Sequence, residues 1–295
     1  DQEETDVNSV QRFLQQGVQI GSMDAVNTAS ESFVLYPWAA NTAPATVTDG
    51  MVVTSGGATS DITRTASTAG GMSLIGYTGT GAYSTIKHGL SATPQFFIIR
   101  QTNAAAAWKV WHHDYADPLQ SYTTLESDAG ESDFGDDRMW GGVPATSTTI
   151  GVGTHIYVND TGDTYRGFIF SPVEGYSKFG SYTGNGNADG PLVYCGFRPA
   201  WILEKRMNST GSWFMTDVAR NAINPVTKYF TANSSAAEAT GTASSGQFIN
   251  IYANGYRVSG TSSSPAYNID SGTYLFAAFA EFPFAGSNIA QGKAR

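Results

Sequence analysis

Cysteine is all but missing from this sequence: Cys195 stands alone among 295 residues. That excludes an intrachain disulfide and any cysteine-based zinc site, since both need more than one thiol. Long apolar runs are missing as well, and no stretch reaches the length that spans a bilayer as a helix, so membrane insertion is not expected. The first residues, DQEETDVNSV, are acidic and polar and lack a secretory leader pattern. Any route out of a cell is then expected to be a different one, such as release by lysis. Charge is scarce, at 14% of residues, and leans acidic, with 16 Lys and Arg and a formal net charge of −9. Such a chain offers little to a phosphate backbone, so nucleic acid is not an expected partner. Helical periodicity is nearly absent, and only Asn8–Gln16 and Ser234–Thr240 suit a turn or two of helix.

What is present points one way. Aromatics make up 13% of the chain, and Gly, Ser, Thr, Ala and Asn fill the place that charge usually takes. That mix suits short strands, tight turns and a thin core filled by rings. Strand signals are strong at QFFIIR (Gln95–Arg100), WKVWH (Trp108–His112), YRGFIFSPV (Tyr165–Val173) and YLFAAFAEF (Tyr274–Phe282), with AWILEK (Ala200–Lys205) and WFMT (Trp213–Thr216) echoing the first two. Clusters such as NDTGD and GNGNADGP separate the runs.

The chain also repeats itself. Three closing segments each place an Asn six residues before an aromatic: Asn27 and Phe33, Asn159 and Tyr165, Asn268 and Tyr274. A second aromatic follows five residues later, at Trp38, Phe170 and Phe279. Two opening segments carry the same turn, SLIGYTGTG (Ser73–Gly81) and KFGSYTGNG (Lys178–Gly186), with Tyr77 and Tyr182 in register. A Pro and a Trp fourteen residues apart follow in each copy, Pro94 with Trp108 and Pro199 with Trp213. Repeats of this kind read as tandem modules. The reading divides the chain into an N-terminal segment (1–70), one sandwich module (71–177) and a second (178–295). The N-terminal segment holds a closing segment without its opening half, followed by a Thr/Ser/Gly/Ala-rich linker over 41–71. Either it is the tail of a longer polypeptide, or its strands complete a sheet elsewhere, in this chain or in a neighbouring subunit. The expected class is all-β: tandem antiparallel β-sandwiches of jelly-roll or lectin-like type.

The stretch GYSKFGSYTGNGNADGPLVYCGFRPAWILEKR (Gly175–Arg206) resembles a repeat module of virion structural proteins from tailed bacteriophages, especially marine ones. GSWFMTDVARN (Gly211–Asn221), LFAAFAEFPF (Leu275–Phe284) and the terminal KAR fit it too, and 71–177 is a more diverged copy that keeps HGL (His88–Leu90). The resemblance implies a lectin-like sandwich in a tail fibre, receptor-binding or head-decorating protein. It implies a homo-oligomer in the virion, partnered by other virion proteins and by a host surface glycan, and extracellular after host lysis. It brings no catalytic residues, so an enzyme is not expected. Two alternatives stay open: a glycan depolymerase on a sandwich scaffold, and a bacterial surface lectin or adhesin.

Candidate chemistry is sparse. The acidic loop DAGESDFGDD offers Asp128, Glu131 and Asp133 as ligands for a calcium ion, the one cofactor considered; its spacing is not that of an EF-hand, and a solvated loop is the simpler reading. Trp140, in the Gly-rich RMWGGVP, is the aromatic expected at a binding tip, with Arg138, Asp136 and Asp137 beside it to hold a glycan. His112 and His113 are adjacent at a strand end and are expected to face opposite ways, which keeps them from sharing a metal. No G-x-S-x-G elbow supports a serine triad, and YTGTG and YTGNG lack the Lys and helix of a phosphate loop. Among Glu174, Glu204, Glu238 and Glu281, nothing marks a hydrolytic pair. Cys195 takes the place of His88 in the other copy, and a buried thiol is expected.

Overall fold

The structure is a computed structural model and describes residues 6–14, 17–38, 43–241, 248–260 and 267–282. In chain order its elements are β1 (Val10–Leu14), β2 (Gly17–Ile20), α1 (Asp24–Asn27), β3 (Ala45–Val53), β4 (Thr59–Ser67), β5 (Met72–Thr78), β6 (Ser84–Lys87), β7 (Phe96–Gln101), β8 (Lys109–His112), β9 (Thr123–Thr124), β10 (Thr149–Val152), α2 (Ile156–Asn159) and β11 (Thr164–Phe170). There follow β12 (Ser177–Thr183), β13 (Leu192–Tyr194), β14 (Pro199–Arg206), β15 (Trp213–Asp217), β16 (Lys228–Thr231), β17 (Ala239–Thr240), β18 (Phe248–Tyr252), β19 (Gly255–Ser259) and β20 (Thr273–Ala280). The chain is all-β with antiparallel pairing throughout. A nine-stranded sheet runs β10-β6-β3-β4-β5-β11-β7-β8-β9, a six-stranded sheet runs β12-β20-β14-β15-β16-β17, a three-stranded sheet runs β13-β19-β18, and β1-β2 forms a hairpin.

The nine-stranded sheet curls, so that Ile150 near one end and Trp111 near the other share one core with Ile75, Phe97, Ile99 and Tyr165. In the second unit the six- and three-stranded sheets face each other over Ile202, Phe214, Ile249, Tyr256, Tyr267 and Phe276. A third cluster, including Phe96, Phe170, Phe179, Leu203, Trp213 and Phe279, joins the outer faces of the two units. Trp213 crosses that seam and donates its indole N–H to the Thr124 carbonyl at 2.9 Å.

The repeated motifs have one structural purpose. β5 pairs with β11 so that Tyr77 lies opposite Tyr165, and β12 pairs with β20 so that Tyr182 lies opposite Tyr274. Both ring pairs stack, at 5.1 Å and 5.0 Å between centroids. The following T-G-x-G turn then grips the Asn turn of the closing segment. A side chain on Gly79 or Gly184 would run into the carbonyl of Asp160 or Ile269, and Gly81 and Gly186 sit at φ 68° and 66°, where glycine is favoured. Asn159 and Asn268 are buried beneath these turns. Asn159 donates to Ala82 and Gly153 carbonyls and accepts from the Thr80 N–H. Asn268 donates to Asn187 and Gly260 carbonyls and accepts from the Asn185 N–H.

Three readings of the sequence need correction. The segment expected as a linker forms the two nine-residue strands β3 and β4, which sit inside the nine-stranded sheet. Its composition suggested a linker, yet Met51 and Ile62 are buried and β-branched residues fill the ladder between them. The two stretches suited to helix hold none where they are described: Val10–Leu14 is β1, Ala239–Thr240 is β17, and the described residues before them are turn or irregular. The aromatic runs became β7, β8, β11, β14, β15 and β20, as their β-branched and aromatic content required.

Candidate functional site

The residues singled out in the acidic loop do separate local jobs. Asp128 accepts the Gly211 N–H and the Lys205 ammonium on its backbone carbonyl, at 2.8 Å and 3.3 Å, across the seam between the two units. Glu131 accepts the Ala116 N–H at 2.9 Å, and Asp133 accepts the Gly135 N–H at 2.8 Å. Their side-chain donor atoms do not gather into a three-ligand group. Trp140 is also placed otherwise than expected. It is 1% exposed, edge-on to Phe97, and its indole N–H donates to the Ser121 carbonyl at 2.7 Å, so it fills the core and cannot face a glycan. Arg138 and Asp136 form an exposed ion pair at 2.6 Å, with the guanidinium over the Phe134 ring. Asp137 lies against the left-handed Gly142. A Gly-rich loop thus turns its tryptophan inward and leaves only a small polar surface outside.

Elsewhere the two units meet at a cleft of ≈ 880 Å³. Gln95, His113 and Asp114 come from the start of β7 and the end of β8. Glu174 and Gly175 come from the connection between units, Lys178 from β12, and Leu192, Tyr194 and Cys195 from β13 and the residue after it. In the short strand β13, Val193 points into the core while Leu192 and Tyr194 stay 51% and 59% exposed, the alternation a half-buried strand requires. The Lys178 ammonium lies over the Tyr194 ring, 5.1 Å from its centroid, which steadies the ring and sets a positive charge against one face. His113 reaches the Asp114 carboxylate at 3.2 Å through Nδ1 and the Phe179 carbonyl at 3.3 Å through Nε2. It therefore ties one unit to the other at the cleft wall.

His112 and His113 are closer than their adjacency suggested. β8 ends at His112, so strand alternation no longer governs His113, and the two rings lie 4.9 Å apart. With Asp114 their donor atoms fall within 4.8 Å of one another, the one such group among the described residues. Two imidazoles and a carboxylate are donors that suit a transition metal such as zinc. However, His112 Nδ1 already accepts the Asp114 N–H at 3.1 Å, and burial, with His113 beside it, lowers the His112 imidazole to about 3. Ligation would need His112 to offer Nε2, which faces the seam beside the Phe276 backbone. The triad is built first as a joint.

Of the acids weighed as a hydrolytic pair, Glu174 is exposed in the cleft, and the other three are buried or paired, as the thiol is buried. Glu204 is in the second core and accepts from Tyr182 and Tyr256 hydroxyls at 2.9 Å and 3.0 Å on one oxygen, while the other has no hydrogen-bond partner among the described residues. Burial raises its carboxyl to about 7. Glu281 pairs with Arg198, and Glu238 with Arg220 and Lys228. Cys195 is buried, and burial lifts its thiol to about 12, far from a reactive thiolate. His88, its counterpart, is buried too, but between the Leu90 N–H and the Thr146 carbonyl. Sequence reasoning missed the cleft, although Tyr194 and Leu192 at alternating positions beside Asp189, Gly190 and Pro191 were a readable signal of an exposed edge.

No curated protein and no solved structure matches this chain. A family model, described as Domain of unknown function (DUF7483), matches residues 1–283. The chain therefore belongs to the DUF7483 family.

Proposed function

We propose that the protein is a structural and adhesive component that works through surfaces, and that the cleft between its two sandwiches holds a glycan. The observation that supports this reading most is Tyr194, an exposed ring steadied by Lys178 on the wall of a cleft whose other groups are His113, Asp114, Glu174 and Gln95. A flat ring with amide, carboxylate and ammonium groups around it is the usual complement of a sugar, which presents an apolar C–H face and a rim of hydroxyls. The cleft volume lies in the range of small-ligand sites. The resemblance of Gly175–Arg206 to phage virion modules supports a place in a virion, as a tail-fibre, receptor-binding or head-decorating part, with a host surface glycan as the ligand.

Binding is tested on an array of bacterial surface polysaccharides, with affinities for any hit taken by calorimetry. Tyr194→Ala is expected to weaken binding about tenfold, the usual worth of one stacking ring. Trp140→Phe is expected to leave affinity unchanged. Equal affinities for the Tyr194 variant and the parent would refute the cleft as the site. A second reading has a specific observation behind it, since Asp114 and Glu174 both line the cleft and paired carboxyls hydrolyse glycosidic bonds. New reducing ends, lost in Asp114→Asn and Glu174→Gln, would replace adhesion with depolymerisation.

A further inference from the structure

The N-terminal segment reproduces the closing half of a module in detail. Asn27 ends α1 as Asn159 ends α2, and its side-chain amide donates to the Gly21 carbonyl as Asn159 donates to Gly153 and Asn268 to Gly260. Three residues further on, the backbone is left-handed in all three copies: φ is 68° at Ser30, 84° at Gly162 and 58° at Ser271. The next turn bond recurs as well, from Glu31 to Thr28, Asp163 to Asp160 and Gly272 to Ile269. Even the entry matches, since the Gly21 and Met23 N–H groups bond to Ser9 and Asn8 as those of Gly153 and His155 bond to Met139 and Arg138.

What differs is the cover. β11 lies between β5 and β7, and β20 between β12 and β14, whereas Ser32–Trp38 pairs with no strand among the described residues. Tyr165 and Tyr274 are 0% exposed and Phe276 is 2%, while their counterparts Phe33 and Leu35 are 49% and 56% exposed. Asn159 and Asn268 accept an N–H from the T-G-x-G turn, and Tyr77 and Tyr182 donate to the Val158 and Tyr267 carbonyls. Asn27 and Val26, in the same places, have no such partner among the described residues. The segment is nonetheless anchored. Tyr36 donates to Asp217 at 2.6 Å, and Trp38 packs edge-on to Trp201 and Phe279. Between Leu35, Tyr36, Trp38 and the outer faces of both units lies an apolar cavity of ≈ 470 Å³.

We infer that this segment is the closing half of a third module, and that it receives an added opening strand and turn of the kind the other two modules carry. The occupant is specified by what the other two copies place there: an apolar strand whose Tyr donates to Val26, running into a T-G-x-G turn whose N–H meets Asn27. Both opening halves among the described residues are already closed by β11 and β20, so the occupant is a further segment of the same pattern and neither of these two. Pro37 lacks the N–H that Ile169 and Ala278 bring to their strands, which confines full pairing to Ser32–Tyr36. This inference stands whether or not the cleft binds a glycan.

The register gives a direct test. Thr164 lies opposite Thr78 and Thr273 opposite Thr183, so Ser32 will lie opposite the same Thr of an incoming strand. Directly opposed residues bring Cβ atoms to disulfide distance. The full chain carrying Cys195→Ser and Ser32→Cys is mixed with a peptide of residues 175–206 carrying Cys195→Ser and Thr183→Cys, under mild oxidation. The expected result is a 1:1 disulfide adduct, read by mass spectrometry, that unmodified peptide suppresses by competition. The same peptide with Lys178→Cys in place of Thr183→Cys is expected to give at least tenfold less adduct. Equal yields from the two peptides, or no adduct, would overturn the inference. So would preferred oxidation of the Ser32→Cys chain to its own dimer, which would make a second copy the occupant.

Discussion

Asn159→Ala is expected to destabilise the protein by about 3–5 kcal/mol, and Asn268→Ala by as much, while Asn27→Ala costs less than about 1 kcal/mol. The three asparagines sit at one place in one repeated turn, so their intrinsic propensities cancel and only the surroundings differ. Removing the buried amide at Asn159 leaves the Gly153 carbonyl and the Thr80 N–H without partners and takes one of three donors from the Ala82 carbonyl. Each orphaned buried group costs about 1–3 kcal/mol. At Asn268 the Asn187 and Gly260 carbonyls and the Asn185 N–H lose theirs. At Asn27 the single partner is the Gly21 carbonyl, at an exposed site where water replaces the lost donor. Thermal denaturation checks this, with the two buried sites lowering the midpoint by on the order of 10 °C and Asn27 by no more than about 3 °C.

Glu204→Gln is expected to remove a loss of stability that the parent protein suffers between about pH 4.5 and pH 7. Burial raises the Glu204 carboxyl to about 7 in the folded state, above its ordinary value of 4.5. The folded protein therefore holds a proton that the unfolded chain has released over that interval, and stability falls as pH rises through it before levelling off. The full effect is on the order of 3 kcal/mol. Glutamine keeps an oxygen to accept from Tyr182 and Tyr256 and cannot ionise. Other groups act in the same range: His112, lowered to about 3, opposes folding increasingly as pH falls below its ordinary 6.5. Lys205, lowered to about 8 by burial, recovers stability only between there and 10.5. Comparing parent and variant in urea at each pH cancels both. A gap between the two proteins that stays constant from pH 4.5 to pH 8 would refute the assignment.

The parts of this fold that were legible in the sequence are those fixed by local chemistry. The T-G-x-G turns announce themselves because one glycine must admit a carbonyl and the other must take a left-handed φ. The aromatic strands are readable because rings and β-branched residues suit a pleated, half-buried surface. β3 and β4 were not legible, since Thr, Ser and Gly describe an edge-facing strand and a linker equally well until a neighbouring sheet buries one face. Trp140 was misjudged for a related reason: a Gly-rich loop says that the chain turns, not which way its one large side chain points. The cleft was the least readable of all. His113, Asp114, Glu174, Lys178 and Tyr194 converge only because Trp213 and the cluster around it lock two modules face to face, and that packing has no signature in any one segment.

Amide hydrogen exchange on the monodisperse chain tests most directly the claim that one closing strand is used three times and covered only twice. Amides of Tyr165–Phe170 and Tyr274–Phe279 are expected to exchange on the order of a thousandfold or more slowly than those of an unstructured peptide, because both edges of β11 and β20 are paired. Amides of Phe33–Trp38 are expected to exchange within about tenfold of the unstructured rate. Slow exchange at all three strands in the monomer, or fast exchange at either of the first two, would contradict the account.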